Sequence, residues 1–210
     1  TPVFIGSEKE TWNLCPIALE EAILNQLHKG IQPKAIVVVH LYGMPAKMNE
    51  IITISKKYNI PILEDAAEAL GSAYQGKPCG TLGDFGVFSF NGNKIITTSG
   101  GGALICHSEI DKKKAVFLAT QAKEDAAHYE HMQVGYNYRM SNVAASIGLG
   151  QLEVLSEHIQ HRKQNHHFYK PLFENLSQVT LHQEPSENFI SKHWLTVIQL
   201  ASFEQREALR

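Results

Sequence analysis

The sequence predicts an α/β protein with a mostly parallel sheet, on three observations. Ala35-Ile36-Val37-Val38-Val39 and Pro61-Ile62-Leu63 are short, continuous apolar runs. Such runs mark strands buried on both faces, as in parallel sheets. Amphipathic stretches alternate with them. Leu19, Ile23 and Leu27 form one helical stripe, widened by Ala22 and Leu24, and Met48, Ile51, Ile52, Ser55 and Tyr58 form a second. The alternating order implies right-handed crossovers, helices on both faces of the sheet and three layers.

Each element follows in order. Pro2-Val3-Phe4-Ile5 reads as a short strand, ahead of the helix around Leu19. The strand at Pro61 ends on Glu64-Asp65. Glycines then crowd positions 71, 76, 80, 83, 86, 92, 100, 101 and 102, around a strand at Phe85-Gly86-Val87-Phe88-Ser89-Phe90. Dense glycine in an α/β domain marks either tight turns or close approach of backbone to a ligand. Ala103 to Cys106 is a further strand, and Ile110 to Ala122 a helix. Ser141 is placed to cap a long helix through Ile147, Leu152 and Leu155 toward Leu176, which Pro171 should kink or break. A polar loop, Gln183 to Lys192, precedes a strand at Trp194 to Ile198 and the start of a helix at Phe203. That loop divides a large domain, residues 1–182, from the start of a small C-terminal α/β domain, residues 183–210. Both ends fall within apparent elements, so the chain reads as truncated at each.

Composition narrows the function. At 210 residues the chain is 43% apolar, with 19 basic against 21 acidic residues and a net charge of −2. That is enough apolar content to fold, and no basic field for general nucleic-acid binding. No apolar stretch approaches the roughly 20 residues of a membrane span, and no signal peptide is visible. Cys15, Cys79 and Cys106 are odd in number and far apart, which reads as reduced thiols in a cytoplasmic protein.

Ligands of open α/β sheets sit beyond the carboxyl ends of parallel strands. Asp65 lies at such an end, although strand-end acids also cap helices. Ser89 ends a later strand and Lys94 follows five residues on, ahead of the triple glycine. A strand-end aspartate followed by this serine and lysine is the layout of pyridoxal-phosphate enzymes of the aspartate-aminotransferase fold type. The lysine takes the cofactor aldehyde as a Schiff base, and the aspartate keeps the pyridine nitrogen protonated. Hydroxyl and backbone N–H groups hold the phosphate.

Three linked motifs carry a resemblance. They are Glu64-Asp65-Ala66-Ala67-Glu68-Ala69-Leu70-Gly71, then Gly83-Asp84-Phe85-Gly86 through Asn93-Lys94 to Gly102, and Gly135-Tyr136-Asn137-Tyr138-Arg139-Met140-Ser141. Together they resemble the DegT/StrS-type nucleotide-sugar aminotransferases across essentially the whole chain. The resemblance implies that Lys94 is the Schiff-base lysine and Asp65 the partner of the pyridinium nitrogen. It implies that Ala67 packs on one ring face and Ser89 binds phosphate. Asn137 would reach the cofactor phosphate of a neighbouring subunit, in a homodimer with shared sites, or serve as a turn residue. Arg139 serves the same region or a salt bridge.

Glu68 departs from the family, where Gln or His is common beside the phenolic oxygen. It either contacts the ring or caps a turn. Lys94 argues against the related dehydratases, which carry histidine there. The segments 91–99, 120–122 and 128–131 are most similar to the bacillosamine-type branch. That implies transfer from L-glutamate to the 4-keto group of a UDP-linked 4-keto-6-deoxy sugar, for surface glycan synthesis. A non-catalytic cofactor-binding module of the same fold is the alternative, as is a sugar dehydratase. The resemblance also implies a longer protein, so these residues alone are expected to bind cofactor poorly. No metal is implied. His158 and His161 have the spacing of a metal pair, but no Cys or carboxylate completes an obvious set.

Overall fold

The computed structural model describes residues 1–210. Its central sheet has four strands in the order β1-β2-β5-β6. These are β1 (Ile36–Val39), β2 (Ile62–Asp65), β5 (Phe85–Ser89) and β6 (Gly102–Cys106). The first three run parallel, with Val39 beside Asp65 and Asp65 beside Val87. β6 runs antiparallel to β5 and pairs Gly102 with Ser89. Asp65 and Ser89 therefore end adjacent parallel strands at the same edge of the sheet.

Helices α1 (Pro16–His28) and α2 (Met48–Tyr58) cover one face. Their Leu19, Ile23, Met48, Ile51 and Ile54 join Ile36, Val38 and Ile62 in the main core. Val38 is fully enclosed, whereas its neighbours Val37 and Val39 are 53% and 40% exposed. The continuous β-branched run is thus covered on one face only within these 210 residues, against the two-sided burial expected of it. An apolar groove of about 590 Å³ beside that open face includes Phe4, Val37, Val39 and Leu41, and none of the candidate site residues.

Past β2 the chain forms two-residue strands, β3 (Ala73–Tyr74) and β4 (Lys77–Pro78). They build a second small sheet with β8 (Phe189–Ile190), in the order β4-β3-β8. Most of the rest is helical: α3 (Glu109–Ala119), α4 (Asn142–Glu153), α5 (Leu155–Phe173) and α6 (Phe203–Leu209). β7 (Val179–Leu181) pairs antiparallel with β9 (Ile198–Leu200), and the Gln183–Lys192 segment between them carries β8.

Four sequence expectations need correction. Residues 2–5 form no strand: the first pairing is an isolated bridge, Ser7 to Leu14, and Phe4 is 91% exposed. The helix capped by Ser141 breaks at Val154, so α4 and α5 are separate. Pro171 does not break α5, which runs two residues beyond it to Phe173, short of Leu176. Trp194 to Ile198 is not one strand. His193 adopts a left-handed φ of 51°, which interrupts extended backbone, and pairing starts only at Ile198.

The glycine-dense segment divides in two. A Cβ on Gly86 would lie 1.9 Å from the Gly80 carbonyl oxygen, and one on Gly80 would lie 2.7 Å from the Phe88 ring. These glycines serve close packing of chain on chain. Gly92 and Gly100 face open space instead.

Candidate active site

β2 ends on two acidic residues that point to different surroundings. Glu64 is fully buried. It accepts the N–H groups of Gly80 at 2.8 Å, Leu82 at 2.5 Å and Gly83 at 2.6 Å. His40 Nε2 donates to it at 2.8 Å, while His40 Nδ1 accepts the Ala46 N–H at 3.0 Å. Burial alone would raise the Glu64 carboxyl. The His40 bond and the Gly83 and Gly80 amides outweigh that and hold it below the usual carboxylate range. Glu64 therefore ties the 80–83 turn to the strand end.

Asp65 is half-buried, and its side chain accepts one backbone N–H, that of Ala67 at 3.1 Å. Three residues on, Glu68 turns toward the lysine. Its Oε1 lies 3.4 Å from Lys94 Nζ, and its Oε2 accepts the Tyr42 N–H at 2.8 Å. Tyr42 pays for this turn with a left-handed φ of 57°. The neighbouring Gly43 packs so closely that a Cβ would lie 2.8 Å from the Glu68 carbonyl oxygen.

Lys94 projects from a short turn in which its own N–H donates to the Asn91 carbonyl at 3.0 Å. Its side chain is only 13% exposed. The loop is gripped from three directions. His158 of α5 donates through Nδ1 to the Ile95 carbonyl at 3.0 Å. Trp194 Nε1 donates to the Asn93 carbonyl at 3.0 Å. Gln151 of α4 accepts the Thr97 N–H at 3.3 Å. Thus His158, one of the pair weighed as metal ligands, holds backbone instead. No group of three or more His, Cys, Asp and Glu residues is placed to hold a metal ion.

The remaining candidates make no side-chain hydrogen bond with Lys94. Ser89 is half-buried at the end of β5, and its Oγ accepts the Asn91 N–H at 3.3 Å. Ala67 is half-buried beside Asp65. Asn137 is exposed and bridges through its backbone to Thr120, with no hydrogen bond to the other candidates. So the fold brings Lys94 to Glu68 and sets Asp65 and Ser89 on neighbouring strand ends, while Asn137 makes no hydrogen bond to any of them.

Sequence reasoning missed Tyr42, Lys192 and Trp194. Lys192 is 1% exposed, and its stem packs against Gly43 and Gly71. Burial, then the charges of Lys94 and Arg162, lower its amine to about 7. No local motif marks these residues, because long-range packing brings them to the site.

As a donor set the site fits pyridoxal phosphate. An amine of limited exposure, a carboxylate with one backbone partner and a strand-end hydroxyl are the groups that cofactor requires. Ala67 adds no bulk where a flat ring must lie. Glu68 supplies a carboxylate where a neutral side chain is common, already committed to Lys94 and the Tyr42 N–H.

The whole chain, residues 1–210, matches the DegT/DnrJ/EryC1/StrS aminotransferase family. It is 49% identical over 199 residues to EpsN of Bacillus subtilis, named for a pyridoxal phosphate-dependent aminotransferase, covering 95% of this chain and 51% of that protein. It is 39% identical over 210 residues to GDP-perosamine synthase of Escherichia coli O157:H7, covering 100% of this chain and 55% of the synthase. Among solved structures, Spr1654 of Streptococcus pneumoniae, described as a sugar aminotransferase in its PLP form, superposes with a TM-score of 0.86 at 26% identity. That superposition covers 100% of this chain and 57% of Spr1654. The chain spans about half the length of the curated relatives it matches. It belongs to the DegT/DnrJ/EryC1/StrS aminotransferase family.

Proposed function

We propose that the full-length protein is a pyridoxal-phosphate aminotransferase. It moves an amino group from L-glutamate to the 4-keto group of a nucleotide-linked 4-keto-6-deoxy sugar, in the synthesis of a surface glycan. The observation that carries this reading is Lys94. It is a largely enclosed amine beside the Glu68 carboxylate, on the loop after a strand whose parallel neighbour ends on Asp65, in a chain of this family.

Pyridoxal phosphate supplies an electron sink for the carbanion formed at the amino-bearing carbon. The chain's own residues do the rest. Lys94 would hold the cofactor through its aldehyde group. The same amine, once free, would act as general base and then general acid toward the proton on the donor Cα. Asp65 would hold the proton on the pyridine nitrogen. Ser89, with backbone N–H groups, takes the phosphate, and Ala67 leaves room for the ring. Glu68 would stand near the cofactor's phenolic oxygen, with its carboxylate already accepting the Tyr42 N–H. Asn137 is exposed and makes no hydrogen bond to Lys94, which suits a contact to the phosphate of a second subunit in a homodimer. Residues 1–182 carry the cofactor, and 183–210 open the small domain.

UDP is the nucleotide we favour, on the similarity of residues 91–99, 120–122 and 128–131 to the bacillosamine-type branch. The GDP-perosamine synthase relative makes a GDP sugar the direct competitor. The full-length protein, given L-glutamate and either UDP- or GDP-linked 4-keto-6-deoxy sugar, should yield a 4-amino product by mass spectrometry. Turnover is expected to favour the UDP sugar. Preference for the GDP sugar overturns the nucleotide, and no amino product from either overturns the reaction.

A further inference from the structure

We propose that Trp194 is the positioning residue for Lys94: its ring face carries the lysine Nζ, and its indole N–H holds the turn from which the lysine projects. This rests on Lys94 being the residue that takes the cofactor. Trp194 lies 100 positions further along the chain and is 6% exposed. Lys94 Nζ sits over its ring, 4.5 Å from the centroid, within the range where a cation is attracted to an aromatic face. The indole Nε1 donates at 3.0 Å to the carbonyl of Asn93, the residue just before Lys94. One side chain thus grips the reactive lysine at both its backbone and its tip.

Trp194 is itself held. It packs with Ile95 and Ile96 in a small core, against Tyr42, Leu70, Phe90, Leu155 and Ile159. The two residues before it are anchored as well. The Lys192 N–H donates to Ser72 Oγ at 3.2 Å, and His193 Nε2 lies 3.0 Å from Glu184 Oε1. The left-handed φ at His193 turns the chain just before the indole. A segment required only to continue toward β9 needs neither this turn nor two hydrogen-bonded anchors. On the other side of Lys94 stands Glu68. The amine is therefore bracketed by a carboxylate and a ring face. The carboxylate can be drawn to another partner, whereas the ring face cannot.

The test uses the full-length protein stripped of cofactor. Pyridoxal 5′-phosphate is added, and covalent capture is followed by absorbance. Borohydride reduction and peptide mapping then assign the adduct to a residue. Trp194→Phe keeps a ring face and loses the indole N–H. Trp194→Met keeps apolar bulk and loses both. Capture at Lys94 should slow by about three- to tenfold in the Met variant relative to the Phe variant, with part of the adduct displaced to other amines. Equal rates and equal adduct maps in the two variants overturn the inference, because a filler role would not distinguish them. Absence of any capture at Lys94 in the unaltered protein overturns the proposed function instead, and this inference with it. If the Met variant does not fold, fluorinated tryptophans, in a background where every tryptophan except Trp194 is replaced by Phe, weaken the ring face with little change of shape. Capture should then slow with each added fluorine, and a rate independent of fluorination overturns the inference.

Discussion

Glu64 and Asp65 are chain neighbours on one strand, yet their surroundings are opposite. Glu64 is sealed, with His40 and the N–H groups of Gly80, Leu82 and Gly83 around it. Asp65 is half-buried and accepts a single backbone N–H. A buried carboxylate with saturated partners has nothing left to offer a ligand, and it fixes the architecture. One with spare acceptor capacity at the open end of a parallel strand is available for chemistry. The same contrast separates two lysines. Lys192 is enclosed, with its amine lowered to about 7, while Lys94 retains a path to solvent.

Substitutions should divide along that line, beginning with the largest effect. Lys94→Ala in the full-length protein should lower turnover by about 10³-fold or more, with thermal stability nearly unchanged. A variant that keeps full activity breaks the assignment. Asp65→Asn should cost roughly 10²-fold in rate while cofactor is still retained, which equilibrium dialysis would report. Glu64→Ala should reverse the pattern. It strands the buried amides and His40, at about 3 kcal/mol of stability or more. A denaturant titration showing wild-type stability would place Glu64 outside the framework.

Lys192 sharpens the contrast through pH. Its folded pKa lies about 7, below the ordinary 10.5. Between those values the unfolded chain binds a proton that the folded chain does not, so this group makes stability rise with pH. Below about 7 its cost is fully present. Lys192→Met should therefore raise the melting temperature at pH 6, and the gain should shrink toward pH 10. A gain that does not change with pH would contradict the linkage. The smallest expected effect is His166. It is stacked 3.6 Å from His193 and lowered to about 4, by burial first and then by that neighbour. The unfolded chain takes up its proton as pH falls from about 6.5 to 4, which removes stability in that window. His166→Phe should flatten that part of the acid limb, and an unaltered limb would remove His166 from it.

Much of this was legible in the sequence. The strands at 36–39, 62–65, 85–89 and 102–106 and helices α1 and α2 all carry their periodicity locally. As candidates, Asp65 and Ser89 are marked by strand ends, and Lys94 by the turn between β5 and the triple glycine. What was not legible depends on long-range packing. Tyr42 and Trp194 reach Lys94 and Glu68 through contacts 26 and more positions apart, with no local signal. The strand expected at Trp194 failed for the same reason, since its backbone follows a side-chain contact rather than a sheet partner. The glycines at 80 and 86 looked equally suited to a ligand, and only their mutual contact shows that they serve packing.

The most direct measurement compares the two lysines themselves. The full-length protein is loaded with pyridoxal 5′-phosphate, reduced with borohydride, digested and mapped by mass spectrometry. The reduced cofactor should reside on Lys94, with Lys192 unmodified. A map that places it on Lys192, or on neither, contradicts the central claim.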